Sequence, residues 1–180
     1  LITACANHSE SQLEPGERES LDAWLANRRE AITKADSATV RRLSAELNGL
    51  LAWYGDNWPP QSHQEVHFLL HTDTYLGARA ACLVATWMKR QGLGVHPTMI
   101  KGLNTADAEG FEAAMSDLAR WCYEAFDAGG YDRVIFNLVG GFKSLQGFMQ
   151  ALGMFYADEC VYIFETGQAL LRIPRLPIRL

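Results

Sequence analysis

From Val66 onward, short apolar runs alternate with longer stretches in which apolar residues recur every three or four positions. Val66–Leu70 predicts a strand, Tyr75–Arg90 a helix and Val95–Lys101 a second strand. Asp107–Asp127 predicts a helix that gathers Phe111, Met115, Leu118, Cys122 and Phe126 on one face and closes at Gly129-Gly130. Val134, Ile135, Phe136, Leu138 and Val139 suit a strand buried on both faces, as in a parallel sheet. Ser144–Phe155 predicts the next helix and Val161–Phe164 the next strand, and Leu170–Ile173 pairs with it as a terminal hairpin after the Thr166-Gly167 turn. Ahead of this alternation, Leu21, Trp24, Leu25 and Ile32 lie at helical spacing within Glu17–Ile32. Val40, Leu43, Leu47, Leu50, Leu51 and Tyr54 form a second stripe, stopped by Gly55 and Pro59-Pro60. Together the two stripes predict a helical hairpin inserted over residues 15–57.

Strands alternating with helices predict a three-layer α/β domain with a mostly parallel central sheet and right-handed crossovers. The whole chain, 1–180, reads as one domain. It opens on Leu1-Ile2-Thr3 with no strand before its first helical region, which suggests a fragment whose first strand lies outside the chain. Ligands of such sheets sit beyond the carboxyl ends of the strands. That rule directs three loops to one crevice: His71-Thr72-Asp73-Thr74, Gly102-Leu103-Asn104-Thr105 and Val139-Gly140-Gly141-Phe142-Lys143.

The third loop carries the strongest chemistry. In VIFNLVGGFKS, Val134 to Ser144, an apolar strand meets a glycine pair, a lysine and a new helix. Gly140 and Gly141 allow a sharp turn and close approach by a ligand. Lys143 and Ser144 open a helix whose unpaired N–H groups and dipole favour an anion, and the lysine adds a point charge for phosphate. The pattern is neither a P-loop, which needs Gly-x-x-x-x-Gly-Lys-[Ser/Thr] where here Phe142 precedes the lysine, nor the Gly-x-Gly-x-x-Gly dinucleotide fingerprint. Taken singly, a glycine pair is often just a tight connection and Lys143 a solvated first-turn residue. Thr72, Asp73, Thr74 and Asn104 offer donors and acceptors for a ribose or base edge, yet Thr or Asp before a helix is ordinarily an N-cap worth about 1 kcal/mol. Their common place at one sheet edge favours a site.

Composition narrows the partners. A chain of 180 residues with 48% hydrophobic content and formal net charge −5 can bury one core but has no general basic face for duplex nucleic acid. Cys5, Cys82, Cys122 and Cys160 are scattered without a Cys-x-x-Cys pair and read as reduced core thiols of a cytoplasmic protein. In that setting the Asn7-His8-Ser9 sequon has no meaning. No apolar run reaches the length of a membrane span. His63 and His67 are four apart but lack the His-Glu-x-x-His order, so no metal is expected, and no cofactor. His71 reads as a strand-end residue satisfied by backbone, and His8 and His96 have no evident partners.

His71-Thr72-Asp73-Thr74-Tyr75-Leu76-Gly77, Asn137-Leu138-Val139-Gly140-Gly141-Phe142-Lys143, Phe155-Tyr156-Ala157-Asp158-Glu159 and Arg172-Ile173-Pro174-Arg175-Leu176-Pro177 together resemble one family. It is the CRISPR-associated Rossmann fold (CARF) family, in the branch that includes ring nucleases. The resemblance covers nearly the whole chain, from Leu1 to Pro177. It implies a Rossmann-like sandwich and a homodimeric sensor of cyclic oligoadenylate, the messenger of type III CRISPR antiviral defence. Such a sensor controls a fused or associated effector and does not itself bind DNA. Ligand-binding positions implied are Leu1, Ile2, Thr3, Thr72, Asp73, Thr74, Asn104, Asn137, Val139, Gly140, Gly141, Phe142, Lys143 and Ser144. Members usually carry Thr where Val139 stands, and begin with a strand ending Gly-Thr-Ser, of which Leu1-Ile2-Thr3 would be the remnant.

A cyclic tetra- or hexa-adenylate has internal symmetry that a twofold axis can match. The alternative implied by the resemblance is a metal-independent ring nuclease, with Lys143 stabilising charge while a ribose 2′-OH attacks its own phosphate to give linear products with 2′,3′-cyclic phosphate. A nucleotide-binding regulator that converged on the same loop chemistry is a third, weaker reading.

Overall fold

The computed structural model describes residues 6–60, 64–103, 108–127, 130–141, 143–164 and 169–177. Its helices are α1 (Pro15–Lys34), α2 (Ser37–Leu43), α3 (Ala45–Tyr54), α4 (Tyr75–Arg90), α5 (Ala108–Cys122) and α6 (Lys143–Tyr156). Its strands are β1 (Val66–Thr72), β2 (Gly94–Ile100), β3 (Ile135–Asn137), β4 (Glu159–Ile163) and β5 (Leu170–Pro174). Each helix and strand the periodicity predicts is present, with one break. The stripe from Val40 to Tyr54 is two helices, because Ser44 takes extended backbone (φ −143°, ψ 127°) and uses its hydroxyl to accept the Leu47 N–H. Serine competes for backbone donors in this way, which makes it a cap rather than a helix interior residue. At the start of α2, Asp36 accepts the Thr39 N–H at 2.7 Å, and these hydrogen bonds hold its carboxyl below the usual range.

The chain forms two compact units: residues 1–35 with 59–117, and 36–58 with 118–180. In the first, β1 and β2 pair in parallel, from Val66 opposite Gly94 to Thr72 opposite Ile100, so both strands end at the same edge. Helix α4 packs on both strands and on α1. There Leu21 and Leu25 of α1 bury against Tyr75 of α4, with Leu13, Trp24, Leu76 and Leu83 around them. The Tyr75 hydroxyl donates to Asp22 at 2.6 Å, so the ring is buried without stranding its polar end.

In the second unit the described strands run β3-β4-β5. β3 and β4 are parallel, Ile135 opposite Glu159 and Asn137 opposite Val161, and β4 and β5 pair antiparallel as expected, Glu159 opposite Pro174, while the Thr166-Gly167 turn lies outside the described residues. Val40, Leu47, Leu51, Phe136, Leu138, Cys160 and Val161 are buried here. Leu118 and Cys122, from the end of α5, have no exposed surface at all. The predicted helix over Asp107–Asp127 continues past Cys122 as a π-helical turn over Tyr123–Asp127. The described strands thus form a mixed α/β fold with a parallel pair in one unit and a mixed three-stranded sheet in the other.

Candidate functional site

In the second unit, the chain leaves β3 through Leu138 and Val139, turns at the glycine pair and enters α6 at Lys143. Several contacts pin this corner. The Leu138 N–H donates to the Val161 carbonyl at 2.9 Å, extending the β3–β4 pairing past the last strand residue. The Val139 N–H donates to the Asn137 side-chain oxygen at 3.3 Å. Gln146, one turn into α6, donates through Nε2 to the carbonyls of Leu138 and Gly140, both at 3.2 Å. These bonds fix the carbonyl side of the turn from within the helix it leads to.

The two glycines are required for different reasons. Gly141 has φ +90°, a conformation that side-chain-bearing residues rarely adopt. Gly140 has no such φ; instead a Cβ there would overlap the Glu46 carboxylate, which lies against it. Glu46 sits in the first turn of α3. Its Oε2 accepts from the Ser44 hydroxyl at 2.7 Å, and its backbone carbonyl accepts from Asn137 Nδ2 at 2.9 Å. The group that approaches Gly140 is therefore an anion from the chain itself. Lys143 and Ser144 are exposed at the start of α6, where no acidic residue stands in the first turn. Lysine at a helix N-terminus opposes the dipole, so no residue of this first turn answers its positive field.

In the first unit, two loops meet as their parallel strands require. Asp73, after β1, accepts the Gly102 N–H after β2 at 3.1 Å. Thr74 is buried and caps α4, its hydroxyl taking the Gly77 N–H at 3.1 Å and lying 2.7 Å from the Thr72 hydroxyl. The capping expectation for Thr74 holds, and both threonine hydroxyls are engaged with each other. His71 Nδ1 lies 2.8 Å from the Thr72 carbonyl, the local backbone partner expected for it. Asp73, Thr74, Tyr75, Arg79 and Cys82, with Glu10, line an open cavity of about 180 Å³. Leu1, Ile2, Thr3, Asn104 and Phe142 lie outside the described residues.

Two expectations are corrected. Cys82 is exposed, not a core thiol, because it lies on the outer face of α4; Cys122 and Cys160 are buried, and Cys5 lies outside the described residues. Burial pushes the Cys122 thiol up to about 12 and moves Cys160 in the same direction. His8 and His96 do have neighbours. His8 Nδ1 is 3.6 Å from the Glu17 carboxylate, its carbonyl accepts the Tyr75 N–H at 3.0 Å, and the His96 ring lies 5.8 Å from that of Phe68. Burial lowers the His67 pKa, opposed by the charge of Glu65. Among the described residues no three metal-ligating side chains cluster. No helix among them is long and apolar enough to cross a membrane.

The model of a family described as CRISPR-associated protein (Cas_APE2256) matches residues 41–176, about three quarters of the chain. The chain belongs to this CRISPR-associated protein family. No curated protein matches it. The family match spans the whole of α3, both strand-end loops of the first unit and the entire glycine corner, whereas α1 lies ahead of it. A role in CRISPR systems follows from that membership.

Within the matched segment one cluster escaped the sequence reading. Glu159, only 9% exposed, receives Arg133 Nη2 on one oxygen and lies 3.9 Å from Arg172 Nε on the other. Both guanidinium groups stack on Trp53, at 5.0 and 4.4 Å from its ring centre. The four residues come from α3, the approach to β3, β4 and β5, and no spacing along the chain relates them. They tie the hairpin to the helix that carries Glu46.

Proposed function

We propose that this CRISPR-associated protein is a cytoplasmic, homodimeric sensor of cyclic oligoadenylate, with cyclic tetra-adenylate the first ligand to test. In this reading its two units complete a single Rossmann-like CARF domain with a mostly parallel central sheet. The observation that carries it is the end of β3. A left-handed glycine at Gly141 turns the backbone into a helix that opens on Lys143 with no acidic residue in its first turn. Such a terminus favours a phosphate through its N–H groups, its dipole and the lysine charge together. Charge-assisted hydrogen bonds contribute about 1.5–3 kcal/mol each, so a few per protomer, repeated by a twofold axis, give tight binding. Ligand binding would be relayed to an effector fused to or associated with this chain.

Sensing is favoured over cleavage by the chemistry near the corner. A ring nuclease would need groups that position a ribose 2′-OH and steady the phosphoryl charge. Lys143 can serve the second purpose, and the sequence offers no strong base for the first: His71 reads as a strand-end residue, and its Nδ1 lies 2.8 Å from the Thr72 carbonyl in the first unit. Calorimetry decides the reading. The protein should bind cyclic tetra-adenylate, and Lys143→Ala should weaken binding at least tenfold. Unchanged affinity would remove the lysine from the site, and no binding by either protein would remove the function. Incubation of the labelled ring without metal distinguishes the enzyme, which would release linear products.

A further inference from the structure

We infer that Glu46 is a built-in competitor for the glycine corner, a carboxylate that occupies the turn in the free protein and swings out when a phosphodiester enters. The inference rests on the corner being the anion site proposed above. The side chain lies against Gly140, where only the absence of a Cβ gives it room. Among the described residues its sole hydrogen-bond donor is the Ser44 hydroxyl, at 2.7 Å to Oε2, and no cation pairs with it. A carboxylate placed beside a turn that favours anions, yet held by one neutral hydroxyl, is weakly retained. It is also exposed, so the displaced group returns to water rather than to a buried site.

The backbone around it cannot follow. The Glu46 carbonyl is anchored by Asn137 Nδ2 at 2.9 Å, and the same Asn137 holds the Val139 N–H through Oδ1. Gly49, one turn on, leaves no room for the helix to shift toward β3, since even a methyl group there would meet Asn137 and Val139. Displacement is thus a rotation of the side chain about a fixed helix. It breaks the contact with Ser44, whose oxygen also caps α3 through the Leu47 N–H. Occupancy of the corner is thereby coupled to the first turn of α3, the helix that also carries Trp53.

The test titrates cyclic tetra-adenylate into the full chain, into Glu46→Gln and Glu46→Ala, and into Glu124→Gln. The last removes one exposed negative charge elsewhere in the same unit and leaves the corner alone. If Glu46 competes, both Glu46 variants bind about fivefold tighter or more and Glu124→Gln matches the parent. If the parent binds and the Glu46 variants bind equally or more weakly, the competitor is refuted while the sensor reading stands. If Glu124→Gln gains as much as the Glu46 variants, or if no protein binds, the outcomes separate again. A uniform gain in Glu124→Gln assigns the effect to net charge and overturns the inference, and absence of binding in every protein overturns the sensor reading together with it.

Discussion

Replacing the two corner glycines one at a time separates a backbone requirement from a packing requirement. At Gly141, φ +90° places any L-residue in a disfavoured region, so Gly141→Ala should cost about 1–2 kcal/mol. At Gly140 the backbone accepts alanine, and the nearest atoms the new methyl group meets all belong to Glu46. Moving that exposed side chain forfeits one hydroxyl–carboxylate hydrogen bond, worth about 1 kcal/mol at most in water. Against this stands the lower entropy of the unfolded alanine chain, which contributes about 0.4–1 kcal/mol in favour of folding. Gly140→Ala should therefore fall within about 0.5 kcal/mol of the parent, and in a Glu46→Ala background it should stabilise. The measurement is urea unfolding of the parent, both single variants and the double variant, read as a coupling energy. Residues in contact couple by about 0.5–3 kcal/mol. If Gly140→Ala costs more than about 2 kcal/mol in both backgrounds, Glu46 is not what fills the space. If Gly141→Ala equals the parent, the left-handed turn is not a constraint.

The Glu159 cluster sets a second expectation. Glu159→Gln leaves two guanidinium groups on one tryptophan without their shared anion, but each is about half exposed and keeps its hydration. Loss of the charge-assisted bonds should cost about 1.5–3 kcal/mol, seen as a lower urea midpoint with unchanged slope, and a change below about 0.5 kcal/mol would show the pairs to be ornamental. Thiol titration makes the third. A disulfide reagent at mild pH should modify Cys82 at once and Cys122 only on unfolding. Because burial raises the Cys122 pKa from 9.0 to about 12, its unfolded form loses the proton first. Stability should be unaffected by this group below about pH 9 and fall as pH rises from there toward 12, by up to about 1.4 kcal/mol per unit. A flat stability curve across that window would show Cys122 to be less buried than its surroundings indicate.

Local pattern made most of the fold legible. The apolar runs within Val66–Thr72 and Glu159–Ile163 and the period-3.6 signal of Tyr75–Arg90 were legible because burial selects apolar residues, at nearly every position of Glu159–Ile163 and along one side of the helix. The break at Ser44 was hidden because Val40, Leu43, Leu47 and Leu51 keep helical spacing across it, although Leu43 is exposed while the other three are buried. The glycine turn and the lysine behind it were legible for a similar reason, since turn, strand end and helix start are neighbours in sequence. Glu46 was not. It stands 94 positions from Gly140, and no local rule says that a first-turn glutamate lies on a distant glycine. Nor could spacing reveal that Trp53, Arg133, Glu159 and Arg172 form one stack, because sheet pairing and helix packing, not chain order, bring them together.

Charge balance explains why such a corner can be both occupied and available. The formal net charge of the chain is −5, which does not favour long-range attraction of a nucleotide anion, so capture at the proposed site would depend on what lies within a few ångströms. Locally the helix N-terminus and Lys143 favour one negative charge, and Glu46 supplies it. A phosphodiester that takes its place exchanges one anion for another. On the proposed reading the corner's charge would be the same before and after, and affinity would arise from the difference in hydrogen bonding between a carboxylate held by a single serine and a phosphate met by backbone N–H groups and Lys143. An empty positive turn would recruit any small anion in solution. If Glu46 competes as proposed, the corner would admit only a ligand whose contacts outcompete the tethered group, and that requirement would select an extended, multiply bonded ligand over free phosphate.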